Sequence, residues 1–179
     1  MNIFVLDKDT SVCAKYHCDK HVVKMIVETA QILSTAHYVL DNDKYKDLKE
    51  YIYKQTHINH PAVKWVCESR MNYLWLCELG LHLCKEYTIR FGKVHKTEAI
   101  LFILYKNMPD NGKYQMTEFP RIFPIEYGKI DNTIEAYREY YKGKSSKFEM
   151  RYTNAPVPFF LRNLNVIELQ TNQLKNTDI

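Results

Sequence analysis

Between Cys18 and Leu40 the chain reads CDKHVVKMIVETAQILSTAHYVL, a stretch with neither glycine nor proline. Val22, Met25, Ile26, Leu33, Ala36 and Leu40 recur at helical spacing and define an apolar face. His21, Lys24, Glu28, Gln31 and Thr35 recur at steps of three and four on a neighbouring face. His21 and Glu28 are two turns apart, about 10 Å along the axis, and point the same way. A histidine, a lysine and a glutamate on one row beside an apolar stripe make either an acid–base site or a solvated face with one intrahelical ion pair. The local pattern leaves both open.

The rest of the chain is consistent with a mainly α fold. Its 179 residues fit one domain spanning 1–179, with a frayed polar tail from about 168, and 46% apolar residues are enough for a sizeable core. Five glycines and six prolines argue against a turn-rich β protein. The net charge of +4 is compatible with nucleic acid but falls short of an obvious DNA-binding footprint, so any basic stripe has to be local. The N-terminus lacks the basic start and apolar length of a signal peptide, and no apolar stretch reaches membrane-spanning length. Five cysteines in no disulfide-framework spacing indicate free thiols and a reducing, intracellular location.

Along the chain, Ile3–Leu6 reads as a short strand or extended start, and Asp9 or Thr10 caps a short helix through Tyr16. Asp41, Asn42 and Asp43 end the long helix, and a short charged helix is expected over 45–53. Pro61 suits a first helical position with Asn59 or His60 as cap. From there one helix is expected to about Arg90, bent at Gly80 and stopped by Gly92. A helix follows from Lys96 or Thr97 and ends before Pro109, and another runs from Asp131–Asn132 to about Lys142. Between them, 108–130 is a long irregular segment of the kind that is often functional. The aromatics of 143–162 are expected to fold back on the core.

Three constellations carry possible chemistry. Cys13, His17, Cys18 and His21 are zinc-ligand types in a spacing that matches no standard module, so neither metal nor cofactor is expected. Cys18 lies near a helix start beside Lys20 and His21, a setting that can activate a thiol. Lys20, Lys24, Arg90, Lys93, His95 and Lys96 border helix ends, and Lys142, Lys144 and Lys147 follow Tyr137, Tyr140 and Tyr141. Basic residues interleaved with tyrosine suit phosphate contacts with base stacking, and equally a mixed solvated surface.

The order of these features resembles the phage pyrimidine-dimer DNA glycosylase (endonuclease V) family. An extended N-terminus precedes Asp19-Lys20-His21 and then Glu28, and Asn59-His60-Pro61 opens a second long helix ending at Arg90-Phe91-Gly92. Tyr140-Tyr141-Lys142-Gly143-Lys144 echoes that family's aromatic, basic C-terminal segment. The CDKHVVKM…NHP pattern is also similar to that of phage and large-virus proteins, which would place the chain in host cytoplasm or nucleoid. The resemblance spans about residues 2–93. It implies a compact helical fold and a DNA glycosylase/AP lyase for damaged or modified bases. Its nucleophile is an N-terminal α-amine, here at Asn2, with Glu28 stabilising the developing cation and His21 touching phosphate or sugar. Lys20, Gln31, Asn59, His60, Arg90, Lys93, His95 and Lys96 would line the substrate. Two features depart from the family: Asn2 is a poor context for removal of Met1, and Val27 stands where the family has an arginine. Lys24 is a substitute amine. Two alternatives accompany this reading: a nucleotide- or modified-base-processing enzyme using His21 and Glu28, and a non-catalytic viral nucleotide-binding protein. On either enzymatic reading, His21, Glu28 and the Asn59–His60 cap are expected to line one concave site near the N-terminus.

Overall fold

The computed structural model describes residues 1–40, 46–164 and 166–170. The chain begins with an extended arm, Ile3–Leu6, whose four side chains are all buried. Helix α1 (Thr10–Tyr16) follows, N-capped by the Asp9 carboxylate, which accepts from the Ser11 and Val12 amides. Helix α2 (Asp19–Val39) is the long helix read from the sequence, and Val22, Met25, Ile26, Leu33 and Ala36 are buried as its apolar stripe requires. The turn expected at 41–43 and the start of the expected 45–53 helix lie outside the described residues. Of that helix, Asp47–Glu50 forms a 3-10 turn.

The single helix expected from Pro61 to Arg90 is two helices, α3 (Pro61–Glu68) and α4 (Arg70–Phe91). The break falls at Ser69, not Gly80. Ser69 is extended, and its hydroxyl caps α4 by accepting from the Met71 amide. The buried Asn72 amide donates to the Trp65 carbonyl and to Thr117, so groups freed by the break are used again. Gly80 instead marks a close approach. A Cβ there would lie 2.8 Å from Thr29 Cγ2 and 3.0 Å from a Leu101 methyl. That is where α2 and α5 (Glu98–Lys106) cross α4.

Helix α6 (Thr133–Lys142) is capped by Asn132, as its sequence predicts. The irregular segment before it is tied down. Phe119 packs against Trp65 and Trp75, and the Tyr137 hydroxyl donates to the Pro120 carbonyl and accepts the Ile122 amide. After α6 the chain folds back on the core through Met150, Tyr152 and Leu161. It adds two short parallel strands that the sequence did not announce, β1 (Met150–Thr153) and β2 (Val166–Leu169). Glu168 and Leu169, placed in a frayed tail by composition, pair with Tyr152 and Thr153, while 171–179 lie outside the described residues. The fold is mainly α, and among the described residues no helix is long and apolar enough to cross a membrane.

One buried cation joins the helix ends. Arg90, near the end of α4, pairs with Glu86 at 2.9 Å and Asp19 at 3.2 Å and donates to the His17 and Lys15 carbonyls. Asp19 also accepts from the Thr153 amide and hydroxyl. The end of α1, the start of α2, α4 and β1 thus converge on one guanidinium.

Replacing Gly80 by alanine lowers stability by about 1–3 kcal/mol through overpacking against Thr29 and Leu101. The roughly 1 kcal/mol that alanine gains in a helix interior is too small to offset it. Urea denaturation checks this; a variant as stable as the parent would show that the helices part to admit a methyl group at no cost.

Candidate functional site

The buried arm decides which atom of the N-terminus meets α2. Side chains satisfy several of its backbone groups. The Cys13 thiol donates to the Phe4 carbonyl and accepts the Leu6 amide, both at 3.3 Å, and Arg138 Nε donates to the Leu6 carbonyl at 2.9 Å. Burial pushes the Cys13 thiol up to about 12, so it stays a donor. Held this way, the arm lays the Asn2 nitrogen on Glu28, where it donates to Oε2 at 2.6 Å. The other oxygen, Oε1, pairs with Lys24 Nζ at 3.3 Å. The Glu28 side chain is 12% exposed and that of Lys24 63%, so the carboxylate lies at the foot of the site and the lysine at its rim.

The loop before α3 is pinned beside it. Ser34 accepts the Tyr53 amide, and the Thr35 hydroxyl bridges the Thr56 amide and carbonyl. This explains the polar row beyond Glu28: Thr35 anchors a loop. The loop then makes a tight turn in which the His60 amide donates to the His57 carbonyl, with His57 in the left-handed region at φ 49°. A non-glycine residue there is strained, and such residues concentrate at functional sites. His60 caps α3 with its ring: Nδ1 accepts the Ala62 amide at 3.2 Å, which leaves the ring proton on Nε2. Its pKa is lowered, first by burial and then by the N-terminal charge, while a hydrogen bond to the Met1 backbone and the Glu28 carboxylate oppose the shift. His60, Met1 and Glu28 therefore share one electrostatic neighbourhood. An open groove of about 430 Å³, lined by Gln55 through His60 and including the exposed Asn59, adjoins them. A larger groove of about 550 Å³, lined by Met116, Phe119, Arg121 and Asn132 among others, contains none of these residues.

His21 does not join Glu28. It is 7% exposed and packs among Phe4, Tyr141 and Phe148. Its Nδ1 lies 2.8 Å from the Tyr141 hydroxyl, which also accepts the Cys18 amide at 2.9 Å. The Cys18 thiol lies 3.5 Å from the same nitrogen, so Nδ1 is held by both Tyr141 and Cys18. Burial, followed by the charges of His17, Lys144, Lys24 and Lys20, pushes the His21 pKa down to about 3. It is a neutral imidazole in a polar–aromatic cluster, not an acid–base partner of Glu28. Tyr141, read from the sequence as a stacking residue, is wholly buried and orients His21 from 120 positions away.

Of the expected basic contacts, Lys20, Lys93 and Lys96 are exposed. Arg90 is corrected: its guanidinium is buried and spent on Asp19, Glu86 and two carbonyls, so it has no face for a ligand. His95 packs on Tyr87 and accepts the Thr97 amide, which starts α5. Gln31 is half-buried on the row between Glu28 and Thr35. Cys18 is no activated thiol, since burial raises its pKa. Cys13 and His17 turn to backbone carbonyls, and among the described residues no three metal-ligating side chains converge.

A sequence model of the family described as pyrimidine dimer DNA glycosylase matches residues 1–99, just over half of the chain. It covers the arm, α1 to α4 and the loop that carries His60. No curated protein and no solved structure gives a significant match.

Three buried imidazoles set an acid limit on this architecture. Burial lowers His17 to about 4, His21 to about 3 and His37 to about 4. The unfolded chain takes up these protons near pH 6.5 and the folded chain does not, so their contribution is complete above about 6.5. It declines as pH falls toward 4, by up to roughly 1.4 kcal/mol per histidine per pH unit. Urea midpoints between pH 8 and 4, with ring 15N shifts at pH 5, test this. Charged rings in the folded protein at pH 5 would refute it.

Proposed function

The chain belongs to the pyrimidine dimer DNA glycosylase family, and from that premise we propose that it is a DNA glycosylase with AP-lyase activity, acting on damaged or modified bases through the amine of Asn2 and Glu28. The observation that carries the reading is the 2.6 Å contact between the Asn2 nitrogen and Glu28 Oε2. While Met1 is attached, that nitrogen is an amide, whose lone pair is delocalised and non-nucleophilic. Once Met1 is removed, the same nitrogen is a primary amine already beside a carboxylate.

The chemistry follows from this placement. The neutral amine attacks C1′ of a flipped nucleotide, forming a C–N bond as the glycosidic bond breaks and the base leaves with the bonding pair and a proton. Glu28 stabilises the oxocarbenium-like charge on C1′ and takes the proton shed by the attacking nitrogen. The sugar ring then opens as the C1′–O4′ bond breaks, Glu28 returning its proton to O4′, and the resulting protonated imine acidifies the neighbouring C2′ proton. Its loss expels the 3′ phosphate by β-elimination, and water releases the enzyme. While Met1 is attached, His60 reaches its backbone with the proton on Nε2; removing Met1 frees that donor in the electrostatic neighbourhood of Glu28.

Lys24 is a weaker candidate for the amine. Its side chain is mostly exposed and ion-paired, and a nucleophilic lysine needs desolvation to lose its proton. The alternative reading, a nucleotide-processing enzyme with His21 and Glu28 as acid and base, lacks geometric support because the His21 ring is engaged by Tyr141. The non-catalytic alternative is separated by the behaviour of Glu28→Gln.

Borohydride trapping on a duplex with one abasic site is expected to give a covalent adduct on residue 2, located by peptide mass analysis. Glu28→Gln should lower turnover by about 10²–10⁴-fold, the range for a positioned acid–base group, while duplex binding changes far less. Absence of any adduct from a preparation whose intact mass shows Met1 removed would sink the amine mechanism.

A further inference from the structure

The loop that carries His60 turns a corner that local rules do not explain. The His60 amide donates to the His57 carbonyl at 2.8 Å, which closes a four-residue turn with Ile58 and Asn59 at its two central positions. Turn centres favour glycine, proline, asparagine or aspartate, which supply a special φ or bond their own backbone. Isoleucine does neither. Nor is it there to pack: among the described residues Ile58 is 49% exposed and is not one of the hydrophobics packed against the core cluster. The corner is nonetheless held rigidly. The Thr35 hydroxyl of α2 holds both the amide and the carbonyl of Thr56, and the Thr56 hydroxyl lies 2.6 Å from His57 Nδ1. On the far side the His60 ring caps α3. Between these anchors His57 keeps its left-handed backbone at φ 49°. Strain of this kind persists only where the surroundings impose it, and departures from local rules gather at functional sites. A β-branched side chain adds stiffness of its own, since few χ1 rotamers are open to it. The result is a stiff apolar point on a pinned turn, flanked by the exposed polar residues His57 and Asn59.

We propose that Ile58 is a wedge that enters the DNA stack when a nucleotide is turned out toward Glu28. The inference rests on the glycosylase reading and adds to it the group that fills the place the base leaves. Ile58 and His60 are two residues apart, so their Cα atoms lie within about 7 Å of each other. His60 in turn shares one neighbourhood with Met1 and Glu28. The sugar under attack has to meet the Asn2 nitrogen, and the vacated place in the stack borders that sugar. Ile58 thus stands beside the carboxylate, where the gap opens, and not over it. Turning a base out costs its stacking on both neighbours. An apolar side chain between the flanking bases replaces part of that stacking and blocks the base's return. Isoleucine suits the task because it brings no polar group that would need a partner between two base faces.

The test uses a duplex in which 2-aminopurine, a base whose fluorescence reports its stacking, stands next to a tetrahydrofuran abasic analogue. Binding of the parent should change that fluorescence several-fold as Ile58 moves against the 2-aminopurine. Ile58→Ser should bind several-fold more weakly and, at saturating protein, leave the fluorescence close to that of the free duplex. Ile58→Leu, which keeps an apolar point, should restore the parent signal. Ile125→Ser, which removes an isoleucine 91% exposed on a segment packed against α6, should behave as the parent does. Borohydride trapping on an abasic-site duplex reports the Glu28 site itself. In preparations lacking Met1 its rate should be little changed by Ile58→Ser, because no base has to be turned out there. If Ile58→Ser gives the parent's fluorescence, or if trapping falls in step with the fluorescence, the wedge is wrong and the glycosylase reading stands. The same holds if the parent binds and is trapped with no fluorescence change. If the parent lacking Met1 neither binds nor is trapped, the glycosylase reading falls and the wedge with it.

Discussion

A buried, unpaired stretch of backbone at the N-terminus governs this structure. Ile3, Phe4, Val5 and Leu6 are each less than 5% exposed, yet the arm belongs to no sheet. Buried amides and carbonyls need partners. Here they come from side chains on three helices: Cys13 of α1, Arg138 of α6 and Glu28 of α2. An arm anchored at several points along its length cannot slide. A one-residue shift would expose apolar side chains and strand the Cys13 and Arg138 contacts together. Glu28 is thus a functional candidate and also the last hydrogen-bond partner of a structural element.

Much of this architecture was legible. The α2 stripe, the caps at Asp9 and Asn132, Pro61 as a first helical residue and the stop at Gly92 all follow from local rules, and local contacts suffice to satisfy them. What misled was everything decided by distant packing. A serine between Glu68 and Arg70 in a helical pattern reads as a tolerated helix residue. That it breaks the helix depends on Asn72 and Thr117, and Thr117 comes from a loop 48 positions further on. Gly80 reads as a hinge because glycine weakens helices, but the absence of its side chain is used for helix crossing. The two strands are too short to show alternation.

The site was half legible for the same reason. The row His21, Lys24, Glu28, Gln31, Thr35 is real, but it does not serve one purpose. Thr35 holds the loop that brings His60, Glu28 receives the arm, and His21 is taken over by Tyr141. Spacing on a helix says which side chains share a face. What covers that face is set by residues 21 to 120 positions away. Arg90 shows the converse. Its partner Glu86 is one turn back and visible in the sequence, but the burial that makes the pair structural requires α1, α2 and β1 to be docked around it.

The anchoring of the arm also bears on the proposed mechanism, in which an N-terminal amine has to be placed for reaction. Attack on a sugar carbon needs the nucleophile positioned to a fraction of an ångström, which a free chain end does not offer. Here the immobilisation comes from residues 3–6, so the nitrogen that meets Glu28 belongs to residue 2 whatever precedes it. The identity of the residue 2 side chain matters little to that geometry, because the contact is made by the main chain, and the Asn2 side chain turns back to accept the Ile3 amide at 2.8 Å. Asparagine at this position is therefore compatible with the scaffold even though it is a poor signal for removal of Met1. On the proposed mechanism the requirement that remains is chemical: one peptide bond, between Met1 and Asn2, separates the inert amide that contacts Glu28 from an amine at the same nitrogen.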